Sequence, residues 1–168
     1  MSVDKKYKPH VLVLPEDSAN RQIAIGFILN SNVNEPVIQI LPIANGWKKV
    51  VSNFTENHVS AMRRFPKRMI VLLIDFDQNE DRLTYVKQHI PSDLEDRVFI
   101  LGVFSEPERL KSDIKRNFEQ IGEALATDCS DNTDELWGHN LLRCNKTELD
   151  RMILAVKPHV FTENKKML

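Results

Sequence analysis

Four short apolar runs, each followed by an amphipathic stretch, constrain this chain more than any other feature. They are "HVLVL" (10–14), "PVIQILPI" (36–43), "RMIVLLID" (68–75) and "RVFILGVF" (97–104). Each is rich in Val, Ile and Leu and bounded by Pro, Asp or Ser, the pattern of a strand buried on both faces. After the first run, Ile23, Ala24, Phe27 and Ile28 recur at helical spacing behind Ser18. After the second, Trp47, Val50, Val51, Phe54, His58, Ala61 and Phe65 make one stripe, which predicts a single long helix. Leu83, Val86 and Ile90 mark a third helix. "SEPERL" predicts a capping box, with Ser105 as N-cap, Pro107 in the first turn and Glu108 three residues on. Leu110, Ile114, Phe118, Ile121 and Leu125 continue it as one helix, and Leu149, Ile153 and Val156 belong to a last one. Strand and helix alternating four times predict an α/β fold, a mostly parallel four-stranded sheet with helices on both faces, plus C-terminal helices.

A chain of 168 residues fits one domain. We read 1–168 as a single unit, with the α/β core over 9–125 and a helical C-terminal extension over 126–168. Its net charge of -1 sets it apart from strongly basic nucleic-acid binders, so any nucleic acid is met by a local patch or through a protein partner. No run approaches the ~20 apolar residues that span a bilayer, and the N-terminal apolar run is too short for a signal peptide. Cys129 and Cys144 lack CxxC spacing, which suits a reducing, cytoplasmic setting. The five histidines show no zinc-site spacing, and the chain carries neither a Walker A loop nor GxGxxG.

In open parallel sheets, ligands sit outside the carboxyl ends of the strands. Here those ends deliver Glu16 and Asp17 from the first strand, Asp75 and Asp77 from the third, and Ser105 and Glu106 from the fourth. Carboxylates gathered there repel one another unless protonated or neutralised, and a hard divalent ion such as Mg2+ or Mn2+ neutralises them through oxygen. Three of these acids also have a plainer reading. Asp77 with Glu80 makes a helix-capping pattern, Asp17 caps the first helix equally well, and Glu106 suits a helix dipole. Asp75 and Glu16, inside strand ends, have no such outlet. Arg109 and Lys111, at the start of the fourth helix, are the cations placed to meet a phosphate.

The Glu after the first strand and the D-x-D after the third resemble the signature of the Toprim domain, the catalytic module of topoisomerases, primases and related nucleases. The resemblance covers roughly 9–125 and rests on Glu16, Asp75 and Asp77. It implies a Toprim/Rossmann-like sheet, Mg2+ held by Asp75 and Asp77, Glu16 as general acid or base, and cleavage or transfer of nucleic-acid phosphodiesters. The chain reads E-D-S-A-N from Glu16 to Asn20, where the family commonly reads E-G-x-x-D. "VLVLPEDSANRQ" is also similar to the first strand and acidic pair of a response-regulator receiver, with Asp75 in the place of its phosphoacceptor. That resemblance implies a non-enzymatic signalling or assembly module.

Overall fold

The computed structural model describes residues 8–162, so the ends of the expected single unit lie outside the described residues. Strand β1 (His10–Pro15) leads into α1 (Ser18–Ile28), and a short 3-10 turn precedes β2 (Ile38–Ile40). Helices α2 (Trp47–Asn57) and α3 (Val59–Arg64) lead to β3 (Arg68–Leu73), α4 (Asp81–Gln88) and β4 (Val98–Leu101). Helices α5 (Pro107–Ile114), α6 (Phe118–Asp131) and α7 (Lys146–Val160) complete the order. All four strands are parallel and lie in the order β2-β1-β3-β4. The expected α/β architecture is therefore present, with helices on both faces.

The sheet's pleat explains why the strand sequences are apolar throughout. Val11, Val13, Met69, Val71, Phe99 and Leu101 face a core closed by α1, α5, α6 and α7. Their neighbours Leu12, Leu14, Ile70, Leu72, Val98 and Ile100 face a second core closed by α2, α3 and α4. Alternate residues thus serve opposite layers, and each fully buried Leu or Ile contributes about 1.5–3 kcal/mol relative to exposure. Helix α7 belongs to this body, since Leu149, Met152, Val156 and Val160 are buried in the first core.

Four local expectations are corrected. The second strand is three residues long rather than the whole of 36–43, because Pro36 and Pro42 have no N–H to offer a ladder. The single long helix after it is two, divided at His58, whose backbone leaves helical geometry at φ -120. The fourth helix is also two, divided at Lys115 in a left-handed conformation, φ 56. Ser105 is not the N-cap of α5; Glu106 holds that position without a side-chain cap bond. The capping box sits instead on α6, where Asn117 and Gln120 exchange side-chain and backbone bonds of 2.8 and 3.0 Å.

The outer edge of β4 is covered by side chains from the start of α7. Asn145 accepts from the Gly102 N–H at 2.9 Å and donates to its carbonyl at 2.8 Å. Glu148 accepts from the Ile100 N–H at 3.1 Å, and Arg151 donates to the Val98 carbonyl at 3.0 Å. Residues three apart on a helix share a face, so one helical stripe meets every second residue of the strand. An open strand edge is a template for foreign pairing, and this stripe closes it.

Candidate metal centre

In the order β2-β1-β3-β4 the direction of strand addition reverses between the parallel strands β1 and β3, and the crevice at such a reversal is where parallel sheets bind ligands. Glu16 and Asp75 leave those two strands. The Glu16 N–H donates to the Leu73 carbonyl at 2.9 Å, continuing the ladder past the end of β1. Its own carbonyl accepts from Asn45 at 2.8 Å and Gly46 at 3.3 Å, which pins the β2–α2 turn against the site. Asn45 and Gly46 both have positive φ, 67 and 140, the geometry that turns those N–H groups inward.

The Glu16 side chain crosses to the neighbouring strand, where Oε1 accepts from the Asp75 N–H at 2.7 Å. Asp17 caps α1, accepting from the Asn20 backbone at 3.0 Å. The Asn20 amide then donates twice, to Asp17 Oδ1 at 3.0 Å and to Asp75 Oδ1 at 2.9 Å. At 2% exposure Asn20 has no water to turn to, so it fixes both carboxylates. Glu16, Asp17 and Asp75 each present an oxygen, all within 4.8 Å of one another.

Such crowding registers in the acidities. Asp75 is raised from 3.8 to about 8, first by burial and then by the charges of Asp17 and Glu16, against the Asn20 bond that lowers it. Glu16 is also raised, chiefly by burial and by Asp17, with the Asp75 N–H pulling the other way. Three oxygen donors at this separation suit a hard cation, which would take up the charge that Asp75 otherwise sheds by holding a proton. Asn20 points its donor at the acids and so serves as their positioner.

Asp77 does not join them. The chain turns sharply at Asp77 and Gln78, both with positive φ, 50 and 56. The Asp77 side chain is 75% exposed and meets Arg82 Nη2 at 3.3 Å. The structure therefore does not bring the expected pair of Asp75 and Asp77 together; the acids beside Asp75 are Asp17 and Glu16. Nor does Asp77 cap α4, whose N-cap position falls on Glu80. Asp17 caps and clusters at once, so the two readings of that residue are compatible.

The other expected residues make contacts of their own outside the three converging acids. Arg109 pairs along α5 with Asp113 at 3.8 Å, and Lys111 Nζ sits 4.9 Å from the Phe118 ring centre. Glu106 is the α5 N-cap and is not among the three converging acids. Ser105 Oγ, at the same sheet edge, is buried without a hydrogen-bond partner. Burial pushes the Cys129 thiol up to about 12 and Cys144 up to about 11, which leaves both poor nucleophiles.

Arg82 was not anticipated. Its Nη1 donates to the Asp75 carbonyl at 2.6 Å, and its guanidinium lies 4.8 Å from the Trp47 ring centre. The available signal was a cation in the first turn of a helix, against the dipole, where a specific partner has to compensate. Among the described residues no helix is long and apolar enough to cross a membrane. Compared with protein-family models, with curated proteins and with solved structures, the chain finds no match.

Proposed function

We propose that this chain is a divalent-metal-dependent phosphoryl-transfer protein acting on nucleic-acid phosphodiesters, a Toprim-like nuclease or nuclease subunit. The observation that carries the reading is the convergence of Glu16, Asp17 and Asp75 within 4.8 Å at the strand-order reversal. Asp75 and Asp17 would hold Mg2+ or Mn2+, which supplies Lewis-acid polarisation of a phosphoryl oxygen. Glu16 keeps Oε1 on the Asp75 N–H, leaving Oε2 to carry a proton. Burial raises its pKa above the ordinary carboxylate value, the direction that favours a general acid or base at working pH. The net charge of -1 fits a subunit that grips nucleic acid with help from a protein partner.

The test is incubation with Mg2+ or Mn2+ and single- and double-stranded DNA and RNA, with Asp75→Ala as control. Cleavage that the substitution abolishes is expected. Intact substrates throughout, with the protein alone and with its co-purifying partners, would sink the enzyme reading.

One observation favours the receiver-like reading: the acid completing the cluster is Asp17, so the grouping is an acidic pair after β1 plus Asp75, without Asp77. Incubation with acetyl phosphate and Mg2+ separates the two. Stable phosphorylation of Asp75 supports a signalling module.

A further inference from the structure

Beside the acids lies a surface that their chemistry does not use. Trp47 and Tyr85 meet edge to face with ring centres 5.2 Å apart, and Tyr85 meets the His89 ring at 4.5 Å. Trp47 opens α2, while Tyr85 lies on α4 and His89, four residues on, is its C-cap. Tyr85 is 36% exposed and His89 is exposed, although the sheet and its helices bury other aromatic side chains of the chain almost completely, Phe54 at 1% and Phe99 at 0%. Cations line the rings: Lys48 Nζ lies 5.6 Å from the Trp47 centre and 5.8 Å from that of Tyr85, and Arg82 lies over Trp47 at 4.8 Å.

Two connections tie this surface to the carboxylates. Trp47 directly follows Gly46, whose N–H donates to the Glu16 carbonyl at 3.3 Å. Arg82 bridges the Trp47 ring and the Asp75 carbonyl. The first turn of α2 has no side-chain cap and no acid; it carries Lys48 and Lys49 instead. The Lys49 stem runs beside Gly46, its Cγ 3.9 Å from where a Cβ there would lie. Positive side chains at an uncapped helix start oppose the dipole, and an anion relieves both.

We propose that Trp47, Tyr85 and His89, with Lys48, Lys49 and Arg82, form a stacking platform for unpaired bases of single-stranded nucleic acid entering the metal centre. Aromatic faces beside cations are how sequence-tolerant single-strand sites are built, with bases on the rings and phosphates on the ammonium groups. Lys48 is exposed and yields its place over the rings to a base while its charge moves to the adjoining phosphate. Asp81, one turn before Tyr85 on α4, repels phosphate, so the backbone runs on the Lys48 and Lys49 side. A duplex keeps its base faces covered, and an acidic peptide would use the lysines and leave the rings idle. The assignment deepens the phosphodiester reading and rests on it for the strand's destination, though binding itself needs no metal.

Binding of labelled oligothymidylate and oligouridylate is measured by anisotropy in EDTA, on the full chain. Both are expected to bind, with Trp47 emission quenched while the buried Trp137 stays constant. Tyr85→Ala lowers affinity about 5- to 150-fold, the span of one lost base stack. Tyr85→Phe, which keeps the ring, stays within about twofold, since stacking needs only the ring face. An abasic strand of equal length, which loses every stack, binds the native protein at least as weakly as the normal strand binds Tyr85→Ala. The proposal is overturned if neither oligomer binds, if Tyr85→Ala or the abasic strand binds at full strength, or if duplex or polyglutamate competes as well as the unlabelled single strand. Asp75→Ala binds the strand undiminished. Binding without cleavage therefore counts against the phosphodiester reading alone, and cleavage without strand binding counts against the platform alone.

Discussion

Glu148 and Asp75 are both carboxylates withdrawn from water at the margin of one sheet, and the fold treats them oppositely. Glu148, 3% exposed, accepts from the Ile100 N–H at 3.1 Å and from Arg151 Nε and Nη2 at 3.1 and 3.2 Å. Lys87 Nζ stands 3.7 Å away. Asp75 receives only the Asn20 amide at its carboxylate, and the charged groups that converge on that carboxylate, Glu16 and Asp17, share its sign, while Arg82 bonds the Asp75 carbonyl instead. Both are drawn at least partly out of water, Glu148 more completely, and partners make the difference. Around Glu148 the chain supplies every counter-charge itself and gains a closed strand edge. Around Asp75 it assembles acids and brings no counter-charge to the carboxylate itself.

The largest effect belongs to the satisfied acid. Glu148→Ala leaves the Arg151 guanidinium and the Ile100 N–H without their partner, and breaking a buried pair from one side costs about 3–5 kcal/mol. Urea unfolding measures it. A loss below about 1 kcal/mol, the ordinary value of a surface pair, would show that Glu148 is not a structural staple and would dissolve the contrast.

A smaller and pH-dependent effect belongs to the unsatisfied one. In the metal-free protein, Asp75 holds its proton to about pH 8 when folded and only to about 3.8 when unfolded. Unfolding therefore releases a proton throughout that window. Stability is highest at acid pH, falls as pH rises from about 4 toward about 8, and levels off above, with Glu16 acting in the same direction. One full proton gives about 1.4 kcal/mol per pH unit; partial solvent access reduces this to about half, or about 2–3 kcal/mol across the window. Asp75→Asn flattens the slope. At pH 8, Mg2+ at a hundredfold over its Kd restores about 2.7 kcal/mol to the native protein and none to the variant. Thermal midpoints against pH, in EDTA and in Mg2+, check this; a native profile that rises between pH 4 and 8 in EDTA reverses the assigned sign.

The same contrast marks where the sequence was readable. Glu16 and Asp75 were found because an apolar run ending in an acid places that acid at a strand end, and parallel connections bring those ends to one edge. Strand identity needed nothing subtler, since both faces of β1, β3 and β4 are buried. The helix breaks at His58 and Lys115 carried no Gly or Pro to announce them, and tertiary packing decides such positions. For the same reason the turn at Asp77 and Gln78 was hidden. Two non-glycine residues adopt positive φ there, held by N–H bonds to the Ser105 and Phe104 carbonyls at 3.0 and 2.6 Å. Asn20 and Arg82 act across the gap between strands, which no local pattern encodes, and Trp47 sits in an apolar stripe that disguises its exposed edge. The stripe of Asn145, Glu148 and Arg151 was likewise invisible, because its partner is a strand more than 40 residues away, the Asn145–Gly102 separation being 43.

Asp77→Asn produces the smallest effect and sharpens the boundary of the site. The carboxylate is 75% exposed and meets a single guanidinium nitrogen at 3.3 Å, so solvent screening holds the pair to about 0–1 kcal/mol. Arg82 keeps its anchors without it, the Asp75 carbonyl on one side and the Trp47 ring on the other. The Mg2+-induced rise in thermal midpoint therefore stays at its native size in Asp77→Asn, while Asp17→Asn reduces it. Should the two variants exchange behaviour, the turn at 77–78 must swing Asp77 inward when the ion arrives. Rotation of that turn would have to break the Asp77 and Gln78 N–H bonds to β4's extension, and hydrogen exchange at those two amides would rise on adding Mg2+. Unchanged exchange, with Asp77→Asn silent, keeps the ion with Asp17 and Asp75, beside Glu16, and leaves the second acid of D-x-D as a surface partner of Arg82.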